Sequence, residues 1–328
     1  MEVDNPVPAA DEVVIKVAAA GICGSDVHIY EWTPGYEWME GLMPVIPGHE
    51  VTGVVTEKGA KVSDLAVGDK VVCMPGNGCG VCELCQEGLI AICPDKKQIG
   101  LQRNGAFAEY VAVAAATCVK LPEQADLKVF ALAEPMTVSA RAVQRAGNLF
   151  GKKVAVLGAG IIGLGAAYYA SLDHARVWLF GKEQDREKFK ISKRLGTEEC
   201  INVDRDNVQK KWNKITNNNG FDAIFDCTGV SPLIQQCLDM TKVGGSVIAV
   251  GIYPSLVQID LRSMVRQEKS LITSYGYTRS IFEGVVTHMG EFPHHYENLI
   301  THTYALKDGL TAMEHAAKSV AGKIVLCP

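Results

Sequence analysis

Hydrophobic and polar positions along the chain follow two different rhythms. Up to about residue 130 they come in short β-like runs, EVVIKVAAA, VTGVVTEKG, DKVVCMP and AEYVAV, punctuated by Pro-Gly and Gly-Asp turns. From about 137 to 275 strand and helix alternate. KKVAVLGAG reads as a strand and its turn, IIGLGAAYYASLD as a helix, RVWLFG as a strand and DREKFKISKRLG as a helix. FDAIFDCTG, GSVIAVGIY and SLITSYGY read as later strands. Apolar, β-branched strands alternating with helices predict a parallel sheet covered on both faces. The tail, SIFEGVVTHMG and DGLTAMEHAAK, is helical in pattern and closes on a strand, GKIVLCP. The expected class is therefore α/β, a doubly wound parallel sheet beside a β-rich domain.

Length and charge narrow the picture. At 328 residues the chain is long for one core, so two domains are expected. A net charge of −5 and no Lys/Arg stripe argue against a nucleic-acid partner. The start, MEVDNPVPAADEVV, has neither the basic nor the apolar region of a signal peptide. The longest apolar run, VAVLGAGIIGLGAAYYA at 154–170, is broken by glycines and too short for a membrane span. The expectation is a cytoplasmic protein with no membrane partner, in which cysteines stay reduced.

Chemistry enters first at Gly158, Gly160 and Gly163. They form G-x-G-x-x-G directly after an apolar strand and at the opening of a helix. The first glycine allows the tight turn and the second lets a pyrophosphate approach the backbone. The third lets helix and strand pack closely, with the helix N-terminus facing the phosphates. An NAD enzyme normally carries an acidic residue at the end of the next strand. Here Gly181 holds that place, Lys182 follows and Arg186 lies just beyond. Losing the carboxylate removes repulsion against a 2′-phosphate and the cations attract one, so the coenzyme is NAD(P) with a lean to NADP. The counter-reading is that Glu183 turns back to the ribose and keeps NAD.

Five of the eleven cysteines fall within residues 73–93, which leaves disulfides, redox thiols or a metal cage as readings. Cys79, Cys82, Cys85 and Cys93 are spaced C-x2-C-x2-C-x7-C, and in a reducing compartment this favours metal. Four thiolates close a tetrahedral site, so the zinc they hold is structural. Cys73 reads as a core residue. A second constellation is Cys23 in GICGSDVH with His49 and Glu50 in PGHE; thiolate, imidazole and carboxylate suit a zinc that keeps an open position. AEP at 133–135 adds a further carboxylate, Glu134. THMGEFPHHYENLITH at 287–302 holds four of the eight histidines and reads as a surface helix and loop.

GICGSDVH, PGHE, the cysteine loop, AEP and GAGIIG occur in this order over nearly the whole chain. As a set they resemble the zinc-containing medium-chain dehydrogenase/reductase (alcohol dehydrogenase) superfamily, nearest the sorbitol/polyol and threonine dehydrogenase group. The resemblance implies a GroES-like catalytic domain at 1–136 and 276–328 and a Rossmann domain at 137–275. It implies two zincs per chain, the catalytic one on Cys23, His49 and Glu50, with Glu134 as alternative ligand or partner of the zinc's water. It assigns Ser25 to the reacting alcohol and His28 to the far end of a proton relay through the coenzyme ribose. Coenzyme contacts are implied at Ile162, Arg186, Val250, Gly251, Ile252, Tyr275, Gly276 and Tyr277. A homo-dimer or homo-tetramer is implied as well. The expected substrate is a secondary alcohol or polyol. The alternatives are a 3-hydroxy amino acid, as in L-threonine 3-dehydrogenase, and a non-catalytic nucleotide-binding redox sensor. Polyol dehydrogenases carry an arginine at the place of Gly276, whereas threonine dehydrogenases have a similar Tyr-Gly pair. Members of the group also carry a strand pair before the segment matching PVPAADEVVIKV, so an edge of the first domain is expected to be exposed or rearranged.

Overall fold

The run EVVIKVAAAG forms the strand Glu12–Gly21, in which only Lys16 is fully exposed. A strand buried on both faces must be covered on both, and this one is the centre of a seven-stranded sheet. The computed structural model describes residues 2–318 and 321–328. The chain divides into two units. One joins the residues up to Thr137 with Gly276–Pro328, and the other is Val138–Tyr275.

In the first unit the strand order is Ile300–Ala305, Lys323–Cys327, Glu12–Gly21, Glu50–Lys58, Lys70–Cys73 and Cys118–Lys120. Tyr110–Ala114 pairs with the N-terminal half of Glu12–Gly21, while Lys323–Cys327 takes its C-terminal end. Val13, Ile15, Val17, Val51, Val55, Val71, Val111 and Val113 fill the interior. Each buried β-branched side chain contributes roughly 1.5–3 kcal/mol. The helix Arg279–Glu291 buries Phe282, Val285, Val286 and Met289, the i, i+3, i+4, i+7 stripe of one apolar face. It stops before Pro293, and the short helix His294–Glu297 carries His294 at the surface.

The second unit is a six-stranded parallel sheet in the order Glu199–Asn202, Arg176–Gly181, Lys153–Leu157, Phe221–Asp226, Thr241–Ala249 and Ser270–Thr273. In sequence terms this is third, second, first, fourth, fifth, sixth. The winding direction reverses between Lys153–Leu157 and Phe221–Asp226, and ligands of such sheets bind at the carboxyl ends of the strands there. The helix Ile161–Leu172 packs on the sheet through Gly163, Ala166, Ala167 and Ala170, small residues that allow close approach. Among the described residues no helix is long and apolar enough to cross a membrane.

Candidate active site

The motifs GICGSDVH and PGHE meet at one end of the seven-stranded sheet. Gly21 ends its strand directly opposite Glu50, which begins the neighbouring one. A Cβ on Gly21 would fall 2.0 Å from Glu50 Oε2, so only glycine leaves the carboxylate its place. Cys23 caps the helix Gly24–Tyr30. One donor atom from each of Cys23, His49 and Glu50 lies within 4.8 Å of the others. His49 and Glu50 are buried, and His49 Nδ1 and Glu50 Oε2 have no hydrogen-bond partner among the described residues. An unpaired buried polar atom costs about 1–3 kcal/mol, and more when charged. A cation held by Cys23, His49 and Glu50 removes that cost at Glu50 Oε2.

Two groups that the sequence did not single out as site residues, Asp26 and Lys323, organise this cluster. Buried Asp26 accepts the N–H of Cys23 at 2.8 Å and the N–H of Gly48 at 3.2 Å, and lies 3.5 Å from His49 Nδ1. It thereby ties both motifs together. Burial pulls the pKa of His49 down, but the negative charges of Asp26 and Cys23 outweigh it and hold it well above 6.5. Lys323, 2% exposed, donates to Glu50 Oε1 at 2.5 Å and to the carbonyl of Ile22 at 2.8 Å. Burial lowers its pKa, but Glu50, Cys23 and Glu134 raise it further. The lysine takes one oxygen of Glu50 and leaves Oε2 for the donor cluster. Tyr277, expected as a coenzyme contact, sits beside this cluster: its ring stacks on Phe282 at 5.7 Å, and its hydroxyl is buried next to Glu134.

Glu134 sits in the first turn of the helix Ala133–Arg145. Burial and the nearby Glu50 push its carboxyl up to about 7 against the opposing effects of His49, Lys323 and Tyr277. Gly276 has a φ of +59°, and a Cβ there would fall 2.2 Å from the Ala91 methyl carbon, so an arginine does not fit this backbone. Ser25 and His28 lie in the first and last turns of Gly24–Tyr30, both half-buried. Thr33 Oγ1 is 3.2 Å from His28 Nδ1, and Tyr36 stacks on the ring at 6.0 Å, which fixes its orientation.

The four-cysteine loop gathers its sulfurs in the same unit. Cys79 Sγ is 4.0 Å from Cys85 Sγ, and Cys82 Sγ is 3.8 Å from Cys93 Sγ. Disulfide sulfurs lie about 2.05 Å apart. A tetrahedron of about 2.3 Å metal–sulfur bonds has edges of roughly 3.8 Å, which the observed spacing matches. A Cβ on Gly78 would meet Cys85 Sγ at 2.5 Å, so that glycine is what admits the sulfur. The N–H groups of Val81 and Cys82 lower the Cys79 thiol to about 7. The N–H of Cys85 favours the thiolate of Cys82, but burial and the thiols around it prevail and raise it to about 12. Cys73, by contrast, packs in the core against Cys118.

In the second unit Gly158, at φ +97°, turns the chain out of Lys153–Leu157. A Cβ on Gly163 would collide with Gly158 O at 1.8 Å, whereas one on Gly160 would meet nothing within 4 Å. The turn therefore has a closed side facing the sheet and an open side at the N-terminus of Ile161–Leu172, where Ile162 also lies. Val250 and Gly251 donate their N–H groups to the carbonyl of Asp226, and Ile252 is exposed beyond them. Tyr275 is exposed just after Ser270–Thr273. Gly181 cannot bear a side chain, because its Cβ would meet Phe189 at 2.7 Å; Lys182 and Arg186 beside it are exposed.

A doubly wound sheet with an open glycine turn, a thiol–imidazole–carboxylate cluster whose imidazole and carboxylate are buried, and a cage of four thiols define a metal-dependent, nucleotide-linked oxidoreductase. Residues 9–123 match the alcohol dehydrogenase GroES-like domain and residues 162–291 the zinc-binding dehydrogenase domain. The chain belongs to this family of zinc-dependent dehydrogenases, enzymes with a nicotinamide coenzyme. It is 35% identical over 280 residues to an L-threonine 3-dehydrogenase of Pyrococcus abyssi, covering 85% of this chain and 78% of that one. It is 30% identical to a sorbitol dehydrogenase of Halalkalibacterium halodurans, covering 100% and 94%. A solved structure from Sinorhizobium meliloti 1021, described as a zinc-binding dehydrogenase bound to NADP, superposes with a TM-score of 0.87 at 28% identity, covering 99% and 94%.

Proposed function

We propose that this protein oxidises a small secondary alcohol or polyol to the ketone, with a zinc ion at Cys23, His49 and Glu50 and NADP as hydride acceptor. The observation that carries the reading is the convergence of these three donors around a buried, unpaired carboxylate oxygen, Glu50 Oε2. The donor set suits zinc, and Glu134 is the alternative carboxylate of the same centre. A metal ion held there lowers the pKa of an alcohol, and the coenzyme takes up the hydride. The chain's own groups do the rest. Asp26 orients His49 and fixes the backbone of Cys23. Lys323 holds Glu50 and balances the negative charge gathered with it. Ser25 Oγ takes the alcohol proton and His28 passes it on, its Nε2 left available because Nδ1 faces Thr33. Cys79, Cys82, Cys85 and Cys93 hold a second zinc with no catalytic part. The gap left by Gly160 is the seat of the pyrophosphate. The proposal includes a cytoplasmic homo-dimer or homo-tetramer.

A second reading, a 3-hydroxy amino acid such as L-threonine as substrate, is favoured by one observation. The backbone at Gly276 has no room for the arginine that polyol dehydrogenases carry there. Initial rates over a panel of polyols, 2,3-diols and L-threonine with each coenzyme separate the two. Turnover of L-threonine above every polyol would replace the first reading with the second. No turnover of any substrate by zinc-loaded protein would leave a nucleotide-binding sensor.

A further inference from the structure

The proposed preference for NADP raises a question at the end of the strand Arg176–Gly181. A carboxylate there discriminates against a 2′-phosphate, and Glu183 is only two residues away. Gly181 cannot supply one, because a side chain would strike Phe189 and Asp185. Asp185 is spent internally: it is 7% exposed, accepts the N–H of Lys182 at 2.8 Å and pairs with Lys188 at 2.7 Å. Discrimination therefore rests on where Glu183 points.

Glu183 is held by the neighbouring strand and the turn that follows it. Asn202 ends the strand Glu199–Asn202 directly beside Gly181 in the parallel register. Its side-chain amide donates to Glu183 Oε2. Arg205 Nη2 lies 2.7 Å from Glu183 Oε1. The N–H of Glu183 donates to Asp204 Oδ2 at 2.8 Å. Asn202 is fixed in turn, since its N–H donates to Asp206 Oδ2 at 2.9 Å and its Oδ1 accepts the N–H of Asp204 at 3.1 Å. Both carboxylate oxygens of Glu183 are thus engaged on the side of the 202–206 turn. The exposed cations Lys182 and Arg186 have no carboxylate partner among the described residues.

We propose that Asn202 and Arg205 set the coenzyme preference of this enzyme by clamping Glu183 away from the adenosine ribose, so that Lys182 and Arg186 meet a 2′-phosphate unopposed. The inference rests on the reading of the 158–163 turn as the dinucleotide site. Asn202 and Arg205 act through Glu183 and are positioning residues. Freed of the clamp, the carboxylate two residues beyond the strand end would turn to accept hydrogen bonds from the ribose hydroxyls of NADH and would repel the phosphate of NADPH.

Fluorescence titration of the full-length protein with NADPH and NADH tests this without recourse to turnover. Wild type binds NADPH more tightly. In Arg205→Ala and in Asn202→Ala/Arg205→Ala, NADH binding tightens about three- to tenfold while NADPH binding weakens, in keeping with the modest strength of exposed ion pairs. Adding Glu183→Ala cancels the gain for NADH, because the coupling between positions 183 and 205 is what the clamp consists of. Arg205→Lys keeps the charge but loses the fork and falls between. If Arg205→Ala weakens NADPH alone, with the same loss in the Glu183→Ala background, arginine touches the phosphate directly and the clamp is refuted. A wild type that prefers NADH refutes it too. A wild type that binds neither nucleotide overturns the dinucleotide reading itself, and the clamp with it.

Discussion

Replacing Lys323 by Met removes one charge from the most deeply buried ion pair of the first unit. The side chains of Lys323 and Glu50 are 2% and 0% exposed, and the ammonium also satisfies the carbonyl of Ile22. Methionine matches the length, so little cavity forms and the electrostatic loss dominates. Breaking one side of a buried pair costs about 3–5 kcal/mol, because the remaining charge has neither partner nor solvent. Against a total of about 5–15 kcal/mol for a domain, this is a large fraction. The loss has a signature that tells this pair from an ordinary one. A divalent cation at Cys23, His49 and Glu50 supplies positive charge to the same carboxylate, so the zinc-loaded variant should lose less than the metal-free variant. Lys323→Arg should retain most of the stability in both. Chemical denaturation of metal-free and zinc-loaded protein, followed by circular dichroism, measures the difference. A loss below about 1 kcal/mol in the metal-free protein, the range of surface pairs, would refute the reasoning. So would an equal loss with and without zinc.

Three further outcomes are expected. Gly163→Ala should abolish nucleotide binding and cost about 1–3 kcal/mol, since its methyl would stand 1.8 Å from Gly158 O; unchanged NADPH titration would contradict the tight turn. Stripping zinc with a chelator, or Cys85→Ser, should lower the melting temperature of the first unit, because binding to the thiol cage is coupled to folding; an unchanged melt rules out a structural ion. Asp222 supplies a pH dependence in the second unit. Burial works against its ionised form, but Lys242 and the N–H of Lys153 prevail and hold the carboxyl below 3.8. Its contribution is present above that value and is lost as pH falls through the lower folded value, so Asp222→Asn should flatten the stability loss below about pH 4. An acid limb identical to wild type would remove that assignment.

What the sequence made legible depended on distance along the chain. Cys79, Cys82, Cys85 and Cys93 lie within one short loop, so their spacing alone carries the geometry of a cage. The glycines at 158, 160 and 163 were equally local, and their strand–turn–helix context was readable from hydrophobic rhythm. Cys23 and His49 come from two motifs joined by the register of adjacent strands, which a resemblance could pair and periodicity could not. Asp26 stood in the quoted motif GICGSDVH, three residues from Cys23, but its bonds to Gly48 and toward His49 are tertiary. Lys323 had no signal at all: its partner Glu50 is 273 residues away, and GKIVLCP reads as any closing strand. The missing carboxylate at Gly181 could be seen directly. The fate of Glu183 could not, because it is decided by side chains on the neighbouring strand and turn.

The central claim is that Cys23, His49 and Glu50 hold the zinc at which an alcohol is oxidised. Wild-type protein and His49→Ala, compared for zinc content and for formation of reduced nicotinamide from the preferred alcohol, test it most directly. Wild type should hold two zincs per chain and turn over, while His49→Ala should keep its fold and the cysteine-bound zinc, lose the other and stop. A His49→Ala protein that turns over at the wild-type rate would contradict the account.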